Sequence, residues 1–193
     1  MRLKILNSGY SFGTKVLFAV IRAVSRYPLP DAAKLVFYRP DFYGSPMKEF
    51  THQAMRGPSE WSVGDRELMA AFVSKMNECT FCIKAHSAVS AKAYHDKAKV
   101  TAVLSDLETA PIGEPLRATL RMLGKLTKEQ AVNADDIRAV LAAGVSNKQI
   151  EDALAVSLAF NTTTRLANAF NFAVLDSKAF EAGAKYLLSR GYH

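Results

Sequence analysis

Residues 66–90 read RELMAAFVSKMNECTFCIKAHSAVS, and this stretch decides both the fold and the chemistry that we expect of the chain. Helical periodicity runs through both halves, and the Met-Asn-Glu sequence at 76–78 supplies a turn between them. On one unbroken helix, Glu67 and Cys79 would lie about 18 Å apart, too far for any direct chemistry. We therefore predict an antiparallel helical hairpin, in which residues equidistant from the turn lie side by side.

The second helix of this hairpin carries two thiols and a base on one face. Cys79, Cys82 and His86 fall within an arc of about 60° on a helix. The α-carbons of an i, i+3 cysteine pair lie about 5 Å apart, so a disulfide can close with little backbone movement. The pattern indicates a reversible redox pair.

The hairpin also brings a carboxylate to this face, because it places Glu67 opposite His86 to within a residue. Glu67 can then orient the imidazole, while His86, one turn after Cys82, can accept the proton of that thiol. The sequence leaves the nucleophile open. The helix N-terminus favours a thiolate on Cys79, whereas the contact with His86 favours Cys82.

Two other interpretations fit the same residues. Cysteine and histidine on an inner helix face are often plain core residues, and Glu67 is also a favourable first-turn acid. A metal site would use Cys79, Cys82 and His86, with Glu67 as a fourth candidate ligand. Zinc sites usually take ligands from two separated clusters, and the chain has no second Cys/His pair, so we predict no metal.

Composition describes an ordinary globular chain. The 193 residues are 49% apolar and 22% charged, which suits one buried core. The net charge of +7 comes from scattered lysines and arginines without a recognition motif, so we expect no nucleic acid as partner.

The longest N-terminal apolar run, residues 16–21, is cut by Arg22, so we predict a cytoplasmic protein without a membrane partner. Residues 15–26 should form an amphipathic helix that packs on its own protein rather than on a membrane or a partner subunit.

The periodicity predicts an all-α fold with helices near 13–26, 30–38, 46–56, 63–76, 79–94, 96–104, 114–124, 134–143, 146–161, 163–174 and 176–189. Ser62 and the Ser146/Gln149 pair mark helix starts, and Gly144 marks a helix end. We predict one domain over 1–193, made of an N-terminal helical extension (1–58), a core (59–175) and a C-terminal helix (176–193).

The remaining polar candidates carry weaker signals. His52, His95 and His193 have no ligand-like spacing and should be surface or packing residues, and Trp61 should fill the core. Arg165 and Asn168 should form buried hydrogen bonds that hold helices together.

The segment Arg66–Ser90 resembles the alkylhydroperoxidase D (AhpD)-like branch of the carboxymuconolactone decarboxylase superfamily. Glu67 precedes Cys79 by twelve positions and His86 follows Cys82 by four, and AFNTTTRLANAF at 159–170 is a weaker match. The resemblance covers about 59–175, and the N-terminal segment is similar to the extension of "peroxidase-related" members.

The resemblance implies an AhpD-like helical bundle, a homo-oligomer, and an antioxidant peroxidase of peroxiredoxin type without a cofactor. It implies that Cys82 attacks the peroxide, that Cys79 resolves the sulfenic acid into a disulfide, and that Glu67 and His86 relay protons. An external dithiol, with a lipoyl-type dithiol as one candidate, would restore the pair.

One position departs from the pattern, because Phe81 stands where the best-known members have a second histidine. This removes a proton-handling group and makes the pocket more apolar.

Two alternatives stay open: a non-catalytic helical oligomer whose cluster senses redox state or binds a metal, and a carboxymuconolactone decarboxylase-type enzyme. The paired thiols argue against the decarboxylase, since those enzymes generally lack them.

Overall fold

The computed structural model describes residue 4 and residues 8–192, and in this part of the chain it is helical without strands. The α-helices, in chain order from α1 to α10, are Phe12–Ser25, Asp31–Tyr38, Ser45–Arg56, Val63–Met76, Thr80–Tyr94, Lys97–Ser105, Glu114–Glu129, Ala134–Ala142, Asn147–Phe170 and Ser177–Arg190. A short π-helix, Pro40–Gly44, connects α2 to α3. The predicted all-α fold is confirmed, and the predicted role of His193 lies outside the described residues.

The hairpin of α4 and α5 forms as predicted. Ser62 begins α4 with a capping box, in which its hydroxyl accepts the Asp65 N–H (3.1 Å) and Asp65 accepts the Ser62 N–H (3.0 Å). The turn after Met76 depends on Glu78, which has a left-handed backbone (φ 54°). Cys79 then caps α5, and its N–H bonds back to the carbonyl of Ser74 at 3.0 Å.

Helix α4 is the centre of the molecule. It is buried along most of its length and packs against α5, α7 and α9. Trp61, 5% exposed, lies beside it and donates its indole N–H to the carbonyl of Gln149 (2.8 Å), which confirms its place in the core. The helix that carries Glu67 is therefore held from several sides.

Three of the predicted helices had wrong boundaries. The predicted helices 146–161 and 163–174 are one continuous helix, α9, and α7 runs on to Glu129 rather than ending near 124. The Asn-Thr-Thr-Thr sequence at 161–164 is a weak helix former, yet tertiary contacts keep it helical. The Asn161 amide donates to Ser157 (3.0 Å) and to Thr127 of α7 (3.3 Å), and Thr164 is fully buried.

The prediction that the N-terminal amphipathic helix packs on its own protein holds only in part. No residue of α1 is buried, and only Phe18 makes aromatic contacts with the body, at 5.3 Å from Phe37 and 5.0 Å from Tyr10. The remaining apolar face points outward, with its large side chains 42–84% exposed: Phe12, Val16, Leu17, Val20 and Val24. Throughout residues 8–192, no helix combines the length and apolarity that crossing a bilayer requires.

Candidate active site

Glu67 and His86 meet inside the hairpin. A Glu67 Oε2 to His86 Nδ1 distance of 2.7 Å joins the two helices, and Glu67 is 0% exposed. The imidazole also lies edge-on against the ring of Phe160 in α9, at 4.3 Å between centroids. The side-by-side placement predicted from the hairpin is confirmed.

Two residues that the sequence did not indicate hold the other carboxylate oxygen. Arg56, the last residue of α3, donates from Nη2 to Glu67 Oε1 at 2.7 Å. The hydroxyl of Tyr192 donates to the same oxygen at 2.9 Å and lies 3.4 Å from His86 Nδ1. We call Arg56, Glu67, His86 and Tyr192 the carboxylate network.

This network keeps Glu67 ionised. Burial alone raises the pKa of the carboxyl, but the hydrogen bond and charge of His86, followed by those of Arg56, outweigh it and lower the pKa below its ordinary value. Burial, assisted by the Glu67 charge, raises the pKa of the Tyr192 phenol well above its ordinary range, so Tyr192 remains a donor. A carboxylate therefore faces three donors.

The turn after α10 brings Tyr192 to the network. Gly191 has φ +68°, and a Cβ atom there would lie 2.6 Å from the imidazole of His52, so the turn requires glycine. His52 Nδ1 accepts the Tyr192 N–H at 3.2 Å, which gives His52 a packing role as predicted. Arg56 also donates to the carbonyl of Leu187 near the end of α10, at 3.0 Å from Nη2.

The two thiols lie at the start of α5, in an apolar pocket. Cys79 and Cys82 are both reduced and each is 1% exposed. Their buried neighbours, which together with the thiols we call the thiol cluster, are Leu35, Phe81, Ala167, Phe172 and Phe180. Phe81 packs edge-on to Phe172 at 5.6 Å, so the position that departs from the AhpD-like pattern has become part of an aromatic wall.

The two thiols differ in acidity. A hydrogen bond from the Cys82 thiol, assisted by the first-turn N–H groups of Cys82 and Phe81, lowers the pKa of Cys79 to about 7 despite burial. The pKa of Cys82 is raised, because its thiol donates to Cys79 and because it is buried. Cys79 therefore carries the charge when the pair first ionises.

A tyrosine from the π-helix borders the thiol cluster. Tyr43 is half-buried against the cluster, and its hydroxyl is hydrogen-bonded to Thr163 of α9. Burial raises the pKa of this phenol, and the nearby Cys82 adds to the effect. The π-turn depends on Gly44, since a side chain there would overlap the carbonyl of Val36.

The other candidates lie apart from this centre. Asn168 donates to the carbonyl of Asn77 in the hairpin turn at 2.9 Å and so links two elements, but both Asn168 and Arg165 are exposed rather than buried as predicted. His95 caps the end of α5 with a left-handed backbone. In residues 8–192, no three His, Cys, Asp or Glu side chains form a group that could hold a metal ion.

The two surface grooves found in the described residues do not reach the thiols. A groove of about 310 Å³ lies between α7 and α9, and one of about 240 Å³ lies between α7 and α8. Neither is lined by Glu67, Cys79, Cys82 or His86. Both grooves therefore lie apart from the buried thiols.

This helical architecture, with a CxxC pair beginning the second helix of a central hairpin, defines an AhpD-like all-α fold. Solved structures share it over nearly the whole chain. An uncharacterized peroxidase-related protein from Silicibacter sp. TM1040 superposes with a TM-score of 0.78 at 21% identity, covering 93% of each chain. The AhpD core of an uncharacterized peroxidase-related protein from Ralstonia eutropha JMP134 gives 0.77 at 21% identity, covering 95% of this chain and 96% of the other.

A third similar structure is that of the debrominase Bmp8, with a TM-score of 0.68 at 13% identity over 90% of this chain and 92% of that one. No protein-family model matches the chain, and no curated protein matches it significantly by sequence. At these identities the likeness establishes the fold, and the resemblance read from residues 66–90 is confirmed at that level.

Proposed function

We propose that this protein is a thiol peroxidase that cycles between a Cys79/Cys82 dithiol and the corresponding disulfide. The observation that carries the proposal is the pair of thiols at the N-terminus of α5, with His86 one helical turn after Cys82 on the same helix and bonded to the buried Glu67 at 2.7 Å. A thiol half-ionised at neutral pH, a partner thiol and a base are what peroxide reduction through a disulfide needs.

Ionisation favours an order of attack that differs from the one implied by the resemblance. Cys79 has the lower pKa of the two thiols and lies at the N-terminus of α5, which favours Cys79 as the group that attacks the peroxide and Cys82 as the one that resolves the intermediate. The resemblance assigns these two roles the other way round. His86 follows Cys82 by one helical turn, which suits it to take the proton of the resolving thiol.

The proposed cycle balances atoms and charge. The Cys79 thiolate breaks the O–O bond of the peroxide, which gives a Cys79 sulfenic acid and an alkoxide or hydroxide that takes up one proton. Cys82 then loses its proton to His86 and displaces the sulfenic oxygen, which leaves as water with that proton. The sulfurs are oxidised to a disulfide, the peroxide is reduced to an alcohol or water, and an external dithiol returns two electrons and two protons.

The surroundings of the pair favour an uncharged oxidant. Leu35, Phe172 and Phe180 surround the thiols with hydrocarbon, and Phe81 adds a further apolar wall where a histidine would be polar. Moving a charged peroxide into this cluster would cost more than moving a neutral one. We expect neutral organic hydroperoxides and hydrogen peroxide to react, and carboxylate-bearing peroxides to react more slowly.

Single serine variants test both the function and the order. Cys82→Ser keeps a hydroxyl donor beside Cys79, so one equivalent of peroxide should yield a Cys79 sulfenic acid that a dimedone-type reagent traps. Turnover with excess external dithiol should fall to the background rate in Cys82→Ser and in Cys79→Ser. Sulfenic acid on Cys82 in Cys79→Ser, together with none on Cys79 in Cys82→Ser, would reverse the order. Undiminished turnover in both variants would refute the function.

A redox sensor is the second candidate, and the burial of both thiols at 1% exposure favours it. A sensor forms the same disulfide but does not turn over repeatedly. Peroxide consumption that stops after one equivalent per chain, with dithiol present in excess, would indicate sensing rather than catalysis.

A further inference from the structure

Glu67 has two oxygens with different partners, and this asymmetry has a consequence for His86. Oε1 accepts from Arg56 at 2.7 Å and from Tyr192 at 2.9 Å, whereas the hydrogen bond that Oε2 makes within the described residues is to the imidazole, at 2.7 Å from Nδ1. Since Glu67 is ionised and buried, Nδ1 must carry a hydrogen to bond it. The other nitrogen, Nε2, is then the one that can take up a proton.

We propose that Arg56 and Tyr192 are positioning residues that fix His86 as its Nδ1–H tautomer, so that Nε2 serves the thiols. The inference rests on the proposed dithiol chemistry and adds two residues to it. Neither residue touches a sulfur in this arrangement. They act through Glu67, by occupying the oxygen that would otherwise compete for the imidazole.

The placement of Tyr192 supports a dedicated role for its hydroxyl. Its ring lies nearly parallel to the His86 ring (16° between planes, 6.4 Å between centroids), and the Arg56 guanidinium lies 5.1 Å from its centroid. The backbone of the same residue is held by His52. The turn after α10 thus fixes the hydroxyl at 2.9 Å from the carboxylate and 3.4 Å from Nδ1.

Arg56 makes the link between this turn and the carboxylate. Its guanidinium donates to Glu67 Oε1 and to the carbonyl of Leu187, at 3.3 Å from Nε as well as 3.0 Å from Nη2. A lysine would keep the charge but could not serve both acceptors with the planar geometry of a guanidinium. In Arg56→Lys we therefore expect the Glu67 carboxylate to be held less firmly than in the parent chain.

The test uses the full chain with Cys79→Ser, so that Cys82 is the only thiol, and iodoacetamide as the probe. Adding Tyr192→Phe should slow alkylation of Cys82 about tenfold, as expected for loss of a hydrogen bond to a charged group. Arg56→Lys should give an intermediate rate, and Tyr186→Phe, which removes an exposed hydroxyl of α10, should leave the rate unchanged. If Tyr192 had only a structural role, Tyr192→Phe would have the opposite effect. Looser packing around the buried Cys82 thiol would then speed its alkylation.

Nitrogen-15 spectra of the imidazole give a second readout that does not depend on alkylation. With labelled histidine, the His86 signal, identified by its loss in His86→Gln, should show hydrogen on Nδ1 in the parent chain and a larger share on Nε2 in Tyr192→Phe. Hydrogen on Nε2 in the parent chain would overturn the inference, as would alkylation that is unchanged or faster in Tyr192→Phe. If Tyr192→Phe does not fold, Arg56→Lys decides by the same criteria. Because the test uses no peroxide, its result can be interpreted even if the proposed peroxidase activity is not found.

Discussion

The carboxylate network and the thiol cluster lie at opposite ends of one stretch of α5, and they are built on opposite principles. In the network, the described partners of Glu67 are polar and lie at 2.7–2.9 Å, so its charge is stabilised by hydrogen bonds from side chains. In the thiol cluster, two sulfurs are surrounded by Leu35 and aromatic rings, so a charge has little besides the partner thiol and helix N–H groups. His86 is the member of the network that lies nearest in sequence to the thiols, one helical turn after Cys82.

The two regions are stabilised by different kinds of contact. Each member of the network is hydrogen-bonded to at least one other element, including α3 and the turn after α10. The thiol cluster is held by hydrocarbon contacts, which are non-directional and tolerate rearrangement. The carboxylate network is therefore held by directional hydrogen bonds, whereas the thiol cluster, where a reactant would enter, is held by apolar contacts.

Breaking the network should have the largest effect on stability. Arg56→Met leaves a fully buried carboxylate without its ion-pair partner, and we expect the free energy of unfolding to fall by about 3–5 kcal/mol. Chemical denaturation of the variant and the parent chain measures this. Arg138→Met is the control, because Arg138 is 70% exposed in its ion pair with Asp135 and should contribute little. Equal losses in the two variants would contradict a structural network at Glu67.

Breaking the thiol cluster should cost less and change accessibility instead. Phe172→Ala removes a ring that packs on Phe81, and we expect a loss of about 3 kcal/mol together with faster thiol labelling at low denaturant. Phe12→Ala is the matched control, since Phe12 is 84% exposed and its removal should affect neither quantity. Labelling that stays slow in Phe172→Ala would mean that reactants reach the thiols by another route.

The sequence predicted the part of the site that one local pattern encodes. Glu67, Cys79, Cys82 and His86 lie within 20 consecutive positions, so helical geometry and one turn were sufficient to bring Glu67 to His86. Arg56 is near in sequence, but it precedes α4 and no spacing rule links it to Glu67. Tyr192 lies 125 positions from Glu67 and reaches it only through the packing of α10 on α5, which no local pattern reports.

The fold was predictable to a similar extent. Helix starts with capping boxes, such as Ser62 and Ser146, were found correctly because their hydrogen bonds are local. The continuity of α9 through Asn161 was not, because contacts with Thr127 and Ser157 outweigh a weak local propensity. The exposure of the apolar face of α1 was not predicted either. An amphipathic pattern shows which face of a helix is apolar, but not which part of the protein packs on it.

Acid should weaken the network only well below the pH at which the Cys79 thiolate is protonated. The pKa of Glu67 is lowered in the folded chain, so its contribution to stability is present above the unfolded value, about 4.5, and is lost as the pH falls through the folded value. The difference in unfolding free energy between the parent chain and Glu67→Gln should therefore shrink as the pH falls below about 4.5. A difference that is constant with pH would show that Glu67 is not held as a carboxylate.

The smallest expected effect concerns the acidity of the thiol pair. The ultraviolet absorbance of the thiolate should rise with a midpoint near pH 7 in the parent chain, where Cys82 donates to Cys79. In Cys82→Ala the donor is lost, so the midpoint should move upward. An unchanged midpoint would show that the helix N–H groups alone set the acidity of Cys79.

Intact-mass spectrometry with thiol counting after one equivalent of peroxide tests the central claim most directly. We predict that both thiols disappear together and that each chain loses the mass of two hydrogen atoms, as a Cys79–Cys82 disulfide requires, and that a small dithiol reverses the change. A chain that gains oxygen on one cysteine while the other stays free, or that keeps both thiols, would contradict the account.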